Sequence, residues 1–189
     1  MARILKIDTV YAGWSTLHKA AIQTDDGAVM LREIEDHGAA VAVLPYNPET
    51  GMALLARQLR TGPLLAGAEQ PRLLEAPAGL IDPGEDEETA VRREALEEVG
   101  VELTDLVRIG GVFSCPGVST ERLGLFIGRY AETGRIAAGG GLDHESESIE
   151  VVETPLVELA RMAETGELTD LKTLALTLHL RLKRPDLFD

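Results

Sequence analysis

Three glutamates near the middle of the chain have the side chains and the spacing to hold a metal ion. Glu94, Glu97 and Glu98 stand at i, i+3 and i+4, so a helix would place their carboxylates on one face within about one turn. Like charges at this spacing repel unless positive charge lies between them. Mg²⁺ is usually held by one or two carboxylates together with water and phosphate oxygens. A Mg²⁺ or Mn²⁺ site is the simplest interpretation of this spacing, and a solvated acidic helix face is the alternative.

The flanking residues predict the helix that would carry these carboxylates. Its apolar side is an i, i+4 row that can pack on a sheet: Val91, Ala95 and Val99. Acidic residues 86–88 lie where the positive end of the helix dipole favours them. Gly100 is placed for a left-handed C-terminal cap. The segment therefore reads as turn, helix and turn.

The helix is part of a longer pattern, G-x5-E-x7-R-E-U-x-E-E-x-G-U with U aliphatic, which residues 79–101 match at every position. At average residue usage, a chance match at a given start has a probability on the order of 10⁻⁸ or less. The pattern resembles the Nudix box, the signature of hydrolases that cleave nucleoside diphosphates linked to a further moiety X. The resemblance implies metal-assisted hydrolysis of a pyrophosphate bond.

The same resemblance implies roles for individual residues of the box. The implied metal ligands, for two or three Mg²⁺ or Mn²⁺ ions, are Glu94, Glu97, Glu98 and the carbonyl oxygen of Ala78. The three glutamates are also the implied catalytic residues. Glu85 and Arg93 are expected to orient this cluster without binding metal directly.

Three segments outside the box resemble the branch of this superfamily that cleaves ADP-ribose, GDP-mannose and other nucleotide sugars. They are Arg57-Gln58-Leu59-Arg60, Glu75-Ala76-Pro77-Ala78-Gly79, and the loop in which Pro116 lies 16 residues beyond Gly100. The substrate contacts that this implies are Arg57, Arg60, Glu75, Pro116 and Glu121. Without the resemblance, the charged residues among them would be assigned to solvent at strand ends. Cys115 departs from the branch pattern, because it separates Ser114 from Pro116.

A glycine-rich acidic segment, residues 137–150, resembles the distal acidic loop of the same branch through Glu145, Glu147, Ile149 and Val151. The resemblance implies that Glu145 is the base for the attacking water and that Glu147 is a further metal ligand. His144 is an alternative base, since an imidazole titrates near neutrality. Without the resemblance, the segment would be a solvated tether.

The N-terminal residues predict a separate β element. Residues 2–10, 15–23 and 28–36 alternate as strands do, and Asp25-Asp26-Gly27 is a hairpin turn. Three short strands form no core alone. We expect residues 1–37 to be an antiparallel β appendage that serves dimerisation, because the resemblance implies a homodimer in which this part often swaps. Trp14 is either a packing anchor of the appendage or a stacking partner for substrate.

The remaining chain, residues 38–189, is expected to form the Nudix domain, an α/β fold in which a mixed sheet lies between helices as an α/β/α sandwich. Strands are predicted at 38–44, ended by Pro45, and at 52–59, 106–113, 123–130 and 151–153. A helix capped by Thr154 should end at Gly166. A last helix, capped by Thr169 or Asp170, carries four leucines along one side: Leu171, Leu174, Leu178 and Leu182.

Composition narrows the partners and the compartment. The chain has 189 residues, enough for one well-buried core, and a formal net charge of −14 with pI near 4.7. This charge argues against general affinity for nucleic acid or anionic membranes, and bound metal would have to attract the substrate phosphates. Cys115 is the one cysteine, which excludes an internal disulfide, and no stretch approaches 18 apolar residues. We therefore expect a cytoplasmic protein, with Cys115 at least half-buried.

The expected activity is hydrolysis of a nucleoside diphosphate sugar, of ADP-ribose or GDP-mannose type, to a nucleoside monophosphate and a sugar phosphate. The alternatives are a nucleoside triphosphate pyrophosphohydrolase and a non-catalytic nucleotide-sugar sensor. A sensor would be expected to lack a box glutamate, and all of them are present. The sequence does not choose between adenine and guanine.

Overall fold

A computed structural model describes residues 1–142 and 148–189. By its internal contacts the chain divides into two compact units. The first comprises Met1–Ala40 and Gly111–Leu123, and the second comprises Val41–Gly110 and Gly124–Asp189. The first unit therefore combines the N-terminal strands with a segment from the middle of the chain.

The first unit contains an antiparallel sheet of strands β1 (Arg3–Ala12), β2 (Thr16–Gln23) and β3 (Val29–Asp36), in that order. The predicted strands and the turn at Gly27 are confirmed, and Gly27 has φ 87°. All ten residues of β1 are exposed. Within the described strands of this sheet, Ala20 is the one buried side chain. Such a sheet has almost no core of its own.

An ion cluster in the same unit joins β3 to the loop that follows Phe113. The imidazole of His37 lies between two carboxylates, with Nδ1 2.6 Å from Glu35 Oε1 and Nε2 3.2 Å from Glu121 Oε1. The Ser119 hydroxyl donates to Glu35, and the Thr120 hydroxyl donates to Asp36. The backbone continues the contact, because Glu35 N–H donates to the carbonyl of Val118. Both ring nitrogens of His37 thus face oxygen acceptors, which favours the protonated ring.

The electrostatics of His37 agree with this geometry. Burial alone lowers the pKa of His37, but the hydrogen bonds and charges of Glu35 and Glu121 outweigh burial and raise it overall. Burial alone raises the pKa of Glu35, but its hydrogen bonds with His37 and Ser119 outweigh burial and lower the pKa overall. Trp14 stacks on His37 with ring centroids 5.1 Å apart. The geometry and the raised pKa of His37 therefore both favour an imidazolium stacked against the indole.

The second unit is built on a mixed sheet with strand order β10-β5-β4-β9-β8; β6 pairs with β5, and β7 pairs with β4. Among the described residues the strands of this sheet are β4 (Ala40–Asn47), β5 (Met52–Leu59), β6 (Arg72–Glu75), β7 (Ala78–Leu80), β8 (Leu106–Phe113), β9 (Arg122–Arg129) and β10 (Glu150–Pro155). The first residue of β4, the end of β8 after Gly110 and the start of β9 before Gly124 are counted with the first unit. The prediction that Pro45 ends its strand is wrong. β4 continues through it to Asn47, where the Asn47 side chain accepts from the Glu49 and Thr50 N–H groups and forms the turn.

Helices cover both faces of this sheet. Helix α1 (Thr61–Leu65) is a single turn after β5, and the longer helices are α2 (Glu87–Val99), α3 (Leu156–Thr165) and α4 (Leu171–Lys183). Val41, Val43 and Leu54 join one core cluster with the apolar side of α2. Because strand side chains alternate, Ala42 and Leu44 point to the opposite face, and α4 contacts β6 while α3 contacts β10. Every residue of β4 is buried, because both faces of the sheet are covered at this strand. The predicted α/β/α arrangement is confirmed.

Three details of the C-terminal half differ from the predictions. Thr154 remains in β10, and Pro155 is the N-cap of α3 without a side-chain hydrogen bond. The leucine row of α4 is not its buried side, since Leu171, Leu178 and Leu182 are exposed; the buried residues are Thr173, Leu176, Thr177 and Leu180. Cys115 is exposed. Among the described residues, no helix is both long and apolar enough to cross a membrane.

Two threonines on the buried side of α4 differ in their hydrogen bonding. Thr173 Oγ1 accepts from Ala76 N–H at 2.7 Å and donates to the capping residue Asp170 at 2.5 Å. Thr177 Oγ1 is buried and has no hydrogen-bond partner among the described residues. Both side chains are fully buried. Thr173 therefore ties the first turn of α4 to the end of β6, whereas the Thr177 hydroxyl is buried without compensation.

We expect Thr173→Val to lower the free energy of unfolding by about 1 to 3 kcal/mol, because it leaves the buried Ala76 N–H without an acceptor. Thr177→Val is the matched control, since it exchanges an unpaired buried hydroxyl for a methyl group of similar size. It should leave stability within about 0.5 kcal/mol of the parent or increase it. Urea unfolding of the three proteins measures the difference; equal effects of the two substitutions would contradict the assigned hydrogen bond.

The His37 cluster should respond to pH in one direction. Since the folded-state pKa is raised above about 6.5, the stabilisation from protonated His37 is fully present below that value and is lost as pH rises through the folded-state pKa. A stacked imidazolium quenches indole emission more than a neutral imidazole does. Fluorescence of Trp14, the single tryptophan, should therefore rise with pH across this transition. His37→Gln should abolish the transition and His18→Gln should retain it; a transition that survives loss of His37 would refute the assignment.

Candidate active site

The carboxylates of α2 lie where the sequence places them, on one side of a helix with well-defined ends. The side chain of Asp86 caps the N-terminus by accepting from Thr89 N–H, and Gly100 ends the helix with φ 73°. Glu94 and Glu98 are 9% and 2% exposed, respectively. Buried carboxylates at this spacing need nearby positive charge or hydrogen-bond donors.

Arg93 supplies that positive charge. Its guanidinium donates to both oxygens of Glu85, at 3.1 and 2.9 Å, and to the carbonyl of Leu80 at 3.0 Å. Nη1 also donates to Glu94 at 2.6 Å and to Glu97 at 3.1 Å. One cation therefore lies among three acidic side chains. The predicted orienting pair, Glu85 and Arg93, is at the centre of the cluster.

The pKa values of this pair follow from the contacts. The hydrogen bond from Arg93 lowers the pKa of Glu85. The pKa of Arg93 is raised, first by its hydrogen bonds to Glu85 and then by those to Glu94 and Glu97, and these outweigh the opposing effect of burial. Both groups therefore stay charged across the physiological range.

Glu98 is held by a different partner. Its Oε2 accepts from the N–H of Ala78 at 3.1 Å, which brings the residue with the predicted ligand carbonyl beside the helix. The next residue is Gly79, and the carboxylate of Glu94 occupies the space where a Cβ at this position would lie. The box glycine is therefore explained by the close approach of β7 to α2.

The donor set fits a hard divalent cation. It offers carboxylate oxygens from Glu94, Glu97 and Glu98 together with the adjacent main chain at Ala78, and oxygen ligands of this kind suit Mg²⁺ and Mn²⁺. Within the described parts of the chain, no three carboxylate, imidazole or thiol groups already converge at metal-binding distance. Arg93 and the Ala78 N–H are among the contacts of these carboxylates in this arrangement.

A second charged cluster lies at the end of β6. Glu75, with a side chain only 2% exposed, accepts two hydrogen bonds from Arg60 at 2.7 and 2.8 Å and a further one from Lys172. Burial alone raises the pKa of Glu75, but the hydrogen bond from Arg60 and the charges of Lys172 and Arg60 lower it overall. Lys172 also contacts Asp170 at 2.8 Å. The two predicted contact residues, Arg60 and Glu75, are thus partners of one another.

The Arg60 cluster and the α2 cluster are electrostatically connected. Burial lowers the pKa of Arg60, but its hydrogen bond to Glu75 and the charges of Glu75, Glu98 and Asp170 raise it overall. The side chain of Arg60 is 39% exposed, whereas its partner Glu75 is 2% exposed. A cation therefore stands at the border between the buried glutamates and water.

Two basic residues of this region, Lys172 and Arg72, were not predicted from the sequence. Lys172 is the second residue of α4, 97 positions from Glu75, and lysines near helix starts are ordinary. Arg72 donates to the carbonyls of Arg57 and Ser148. Arg57 itself pairs with Glu150 at 3.3 Å across adjacent strands. The available signal was that Arg60 directly follows β5 and that Arg72 is the first residue of β6.

The other predicted residues are distributed as follows. Pro116 and Glu121 belong to the first unit, where Glu121 contacts His37. Glu145, Glu147 and His144 lie outside the residues that the structure describes. Glu94, Glu97 and Glu98 come together with Glu85, Arg93 and Ala78 as one site in the second unit.

Comparisons with known proteins point to one family. The model of the NUDIX domain matches residues 36–176. The chain is 38% identical to a GDP-mannose pyrophosphatase of Citrobacter koseri over 79% of this chain and 76% of the relative. It is 34% identical to the GDP-mannose pyrophosphatase of Escherichia coli strain K12 over 94% of both chains.

The fold agrees with a solved structure as well. The crystal structure of an ADP compounds hydrolase superposes with a TM-score of 0.77 at 20% identity, covering 98% of this chain and 95% of that one. Together with the match over residues 36–176 and the complete box, these findings show that the chain belongs to the NUDIX family of hydrolases.

Proposed function

We propose that this enzyme hydrolyses the pyrophosphate bond of a nucleoside diphosphate sugar, of GDP-mannose or ADP-ribose type, to a nucleoside monophosphate and a sugar phosphate. The observation that carries the proposal is the complete carboxylate cluster of α2, with Glu94 and Glu97 on Arg93 and Glu98 on the Ala78 N–H. The GDP-mannose pyrophosphatases at 34 to 38% identity support the nucleotide-sugar class.

NUDIX hydrolases generally use divalent metals such as Mg²⁺. In this chain Glu94, Glu97, Glu98 and the Ala78 carbonyl would hold two or three such ions, with Glu147 as a further ligand. The bound metal would neutralise the phosphates and lower the pKa of a water molecule. The chain has a net charge of −14 and would repel an anionic substrate at long range. Bound metal would offset this repulsion because it supplies positive charge at the site.

Arg93 and Glu85 keep the carboxylates in place for this work. Arg93 is itself fixed by Glu85 and the Leu80 carbonyl, so it can restrain Glu94 and Glu97 without depending on them for its own position. Restraint of this kind matters because small displacements of positioned groups are costly to catalysis. The Ala78 N–H restrains Glu98 in the same way.

Proton transfer is assigned to the distal acidic segment. Glu145 would take the proton from the attacking water, and His144 is the alternative base. Substrate contacts are assigned to Arg57, Arg60, Glu75, Pro116 and Glu121. Arg60 is the strongest of these, because its side chain is partly exposed, the charge of Glu98 acts on it, and two hydrogen bonds to Glu75 orient its guanidinium.

The first 37 residues would serve dimerisation. The sheet of the first unit exposes large apolar side chains, among them Ile4, Ile7 and Tyr11 of β1 and Leu31 of β3. An exposed edge strand with apolar side chains normally pairs or is covered. We therefore propose a homodimer that covers β1; a single-chain mass in sedimentation equilibrium would exclude it.

A substrate panel tests the function directly. With Mg²⁺ or Mn²⁺ present, we expect GDP-mannose or ADP-ribose to be cleaved with the highest kcat/KM, UDP-glucose less well, and dGTP and a dinucleoside polyphosphate least. Product identification should show a nucleoside monophosphate and a sugar phosphate, and chelation should stop the reaction. Preference for dGTP would favour the triphosphate pyrophosphohydrolase instead. Calorimetric binding of a nucleotide sugar without turnover would favour a sensor.

Glu98→Gln tests the assigned site. It keeps the side-chain shape and can still accept from the Ala78 N–H, but it removes a ligand charge, so metal-dependent kcat should fall by about 10²-fold or more. Glu88→Gln on the same helix is the matched control, since Glu88 forms an exposed pair with Arg92. Steady-state kinetics and thermal unfolding of both variants give the comparison; full activity in Glu98→Gln would refute the assignment.

A further inference from the structure

We propose that residues 134–141, here called the strap, position the catalytic end of α2, and that Gly139 is the positioning residue on which this depends. The proposal rests on the function proposed above and extends it to a segment with no catalytic side chain. Its basis is a set of backbone contacts within the second unit that join the strap to the residues whose side chains form the site.

The strap follows the last turn of α2 and the residues after it through main-chain hydrogen bonds. Gly140 N–H donates to the carbonyl of Glu98 at 2.9 Å, and Gly141 N–H donates to the carbonyl of Glu97 at 3.1 Å. Earlier in the strap, the N–H groups of Ile136 and Ala137 both donate to the carbonyl of Gly100, the residue that follows α2. Two of the contacted carbonyls thus belong to the glutamates that carry the site.

These bonds are not needed to end the helix. Gly100 already provides the left-handed cap, with its N–H on the Leu96 carbonyl, and Val101 N–H reaches the carbonyl of Ala95. The carbonyls of Glu97 and Glu98 are among the last four of the helix, which have no partner inside it. The strap supplies their partners from 44 and 42 positions further along the chain, respectively.

The close approach depends on glycine on both sides. Gly139, Gly140 and Gly141 have φ of 68°, 111° and 79°. A Cβ on Gly139 would lie 2.6 Å from the Glu98 carbonyl oxygen and 2.8 Å from Val99 Cα, and a Cβ on Gly100 would overlap the Ala137 carbonyl. Backbone atoms cannot rotate away as a side chain can, so a methyl group at Gly139 must displace either the strap or the helix end.

Glu98 is consequently fixed at both of its ends. The Gly140 N–H holds its main-chain carbonyl, and the Ala78 N–H holds its carboxylate. If the strap moves, the last turn of α2 can shift, and Glu97 and Glu98 shift with it. Groups that orient metal ligands typically change metal affinity or activity 10- to 100-fold when they are lost.

The experiment compares Gly139→Ala with Gly166→Ala. Gly166 ends α3 with φ 78° and has no atom within 4 Å of its would-be Cβ among the described residues, so this control carries the same backbone strain without the overlap. Binding of Mn²⁺ is measured by electron paramagnetic resonance, and kcat and KM are measured on the best substrate. We expect Gly139→Ala to weaken Mn²⁺ binding and lower kcat by about 10- to 100-fold, with little change in KM. Gly166→Ala should match the parent in all three.

Gly140→Ala provides a second variant in case Gly139→Ala does not fold. It strains the backbone at φ 111° but meets no atom of α2, since the nearest contact is the Ile149 carbonyl oxygen at 3.8 Å. It should also weaken Mn²⁺ binding. A folded Gly139→Ala or Gly140→Ala protein with parental Mn²⁺ affinity would overturn the strap proposal. Absence of turnover in the parent would instead count against the proposed function, and the Mn²⁺ measurement would still decide the role of the strap.

Discussion

The arrangement of the site depends first on the guanidinium of Arg93, which lies among several carboxylates. Without Arg93, the carboxylates of Glu85, Glu94 and Glu97 would repel one another within a few ångströms and in a partly buried setting, where such repulsion is costly. The guanidinium is suited to this position because its planar donors serve several acceptors at once and its charge does not titrate. A lysine would carry the same positive charge but lacks the planar set of donors that reaches several acceptors at once. The rest of the site, including the approach of β7 at Gly79, is arranged around this ion network.

The second charged cluster shows how the fold connects distant parts of the chain to this centre. Glu75 is neutralised by Arg60 from the end of β5 and by Lys172 from the start of α4. The hydrogen bond between Ala76 and Thr173 lies next to it. Two residues further on, Ala78 contacts Glu98. A helix that looks purely structural therefore stabilises the strand end from which the active site is built.

The sequence predicted what depends on local periodicity and local backbone chemistry. The i, i+3, i+4 spacing of the glutamates, the cap at Gly100, the turn at Gly27 and the cap at Asp170 are all found in the structure. It failed where tertiary packing decides between local alternatives. The leucines of α4 suggested one buried side, but Leu176 and Leu180 with two threonines form it instead. The partnership of Glu75 with Lys172, and the main-chain contacts of Gly140 and Gly141, span long separations and leave no periodic signal.

Strand β1 has a consequence for how the stability of this protein is described. All ten of its residues are exposed, and its sheet buries almost nothing by itself. If a second copy covers this strand, part of the folding free energy comes from association, and mass action makes apparent stability rise with protein concentration. A single melting temperature would then not characterise the chain. At low protein concentration the N-terminal sheet would then be the first part to unfold, while the ion network around Arg93 stays formed.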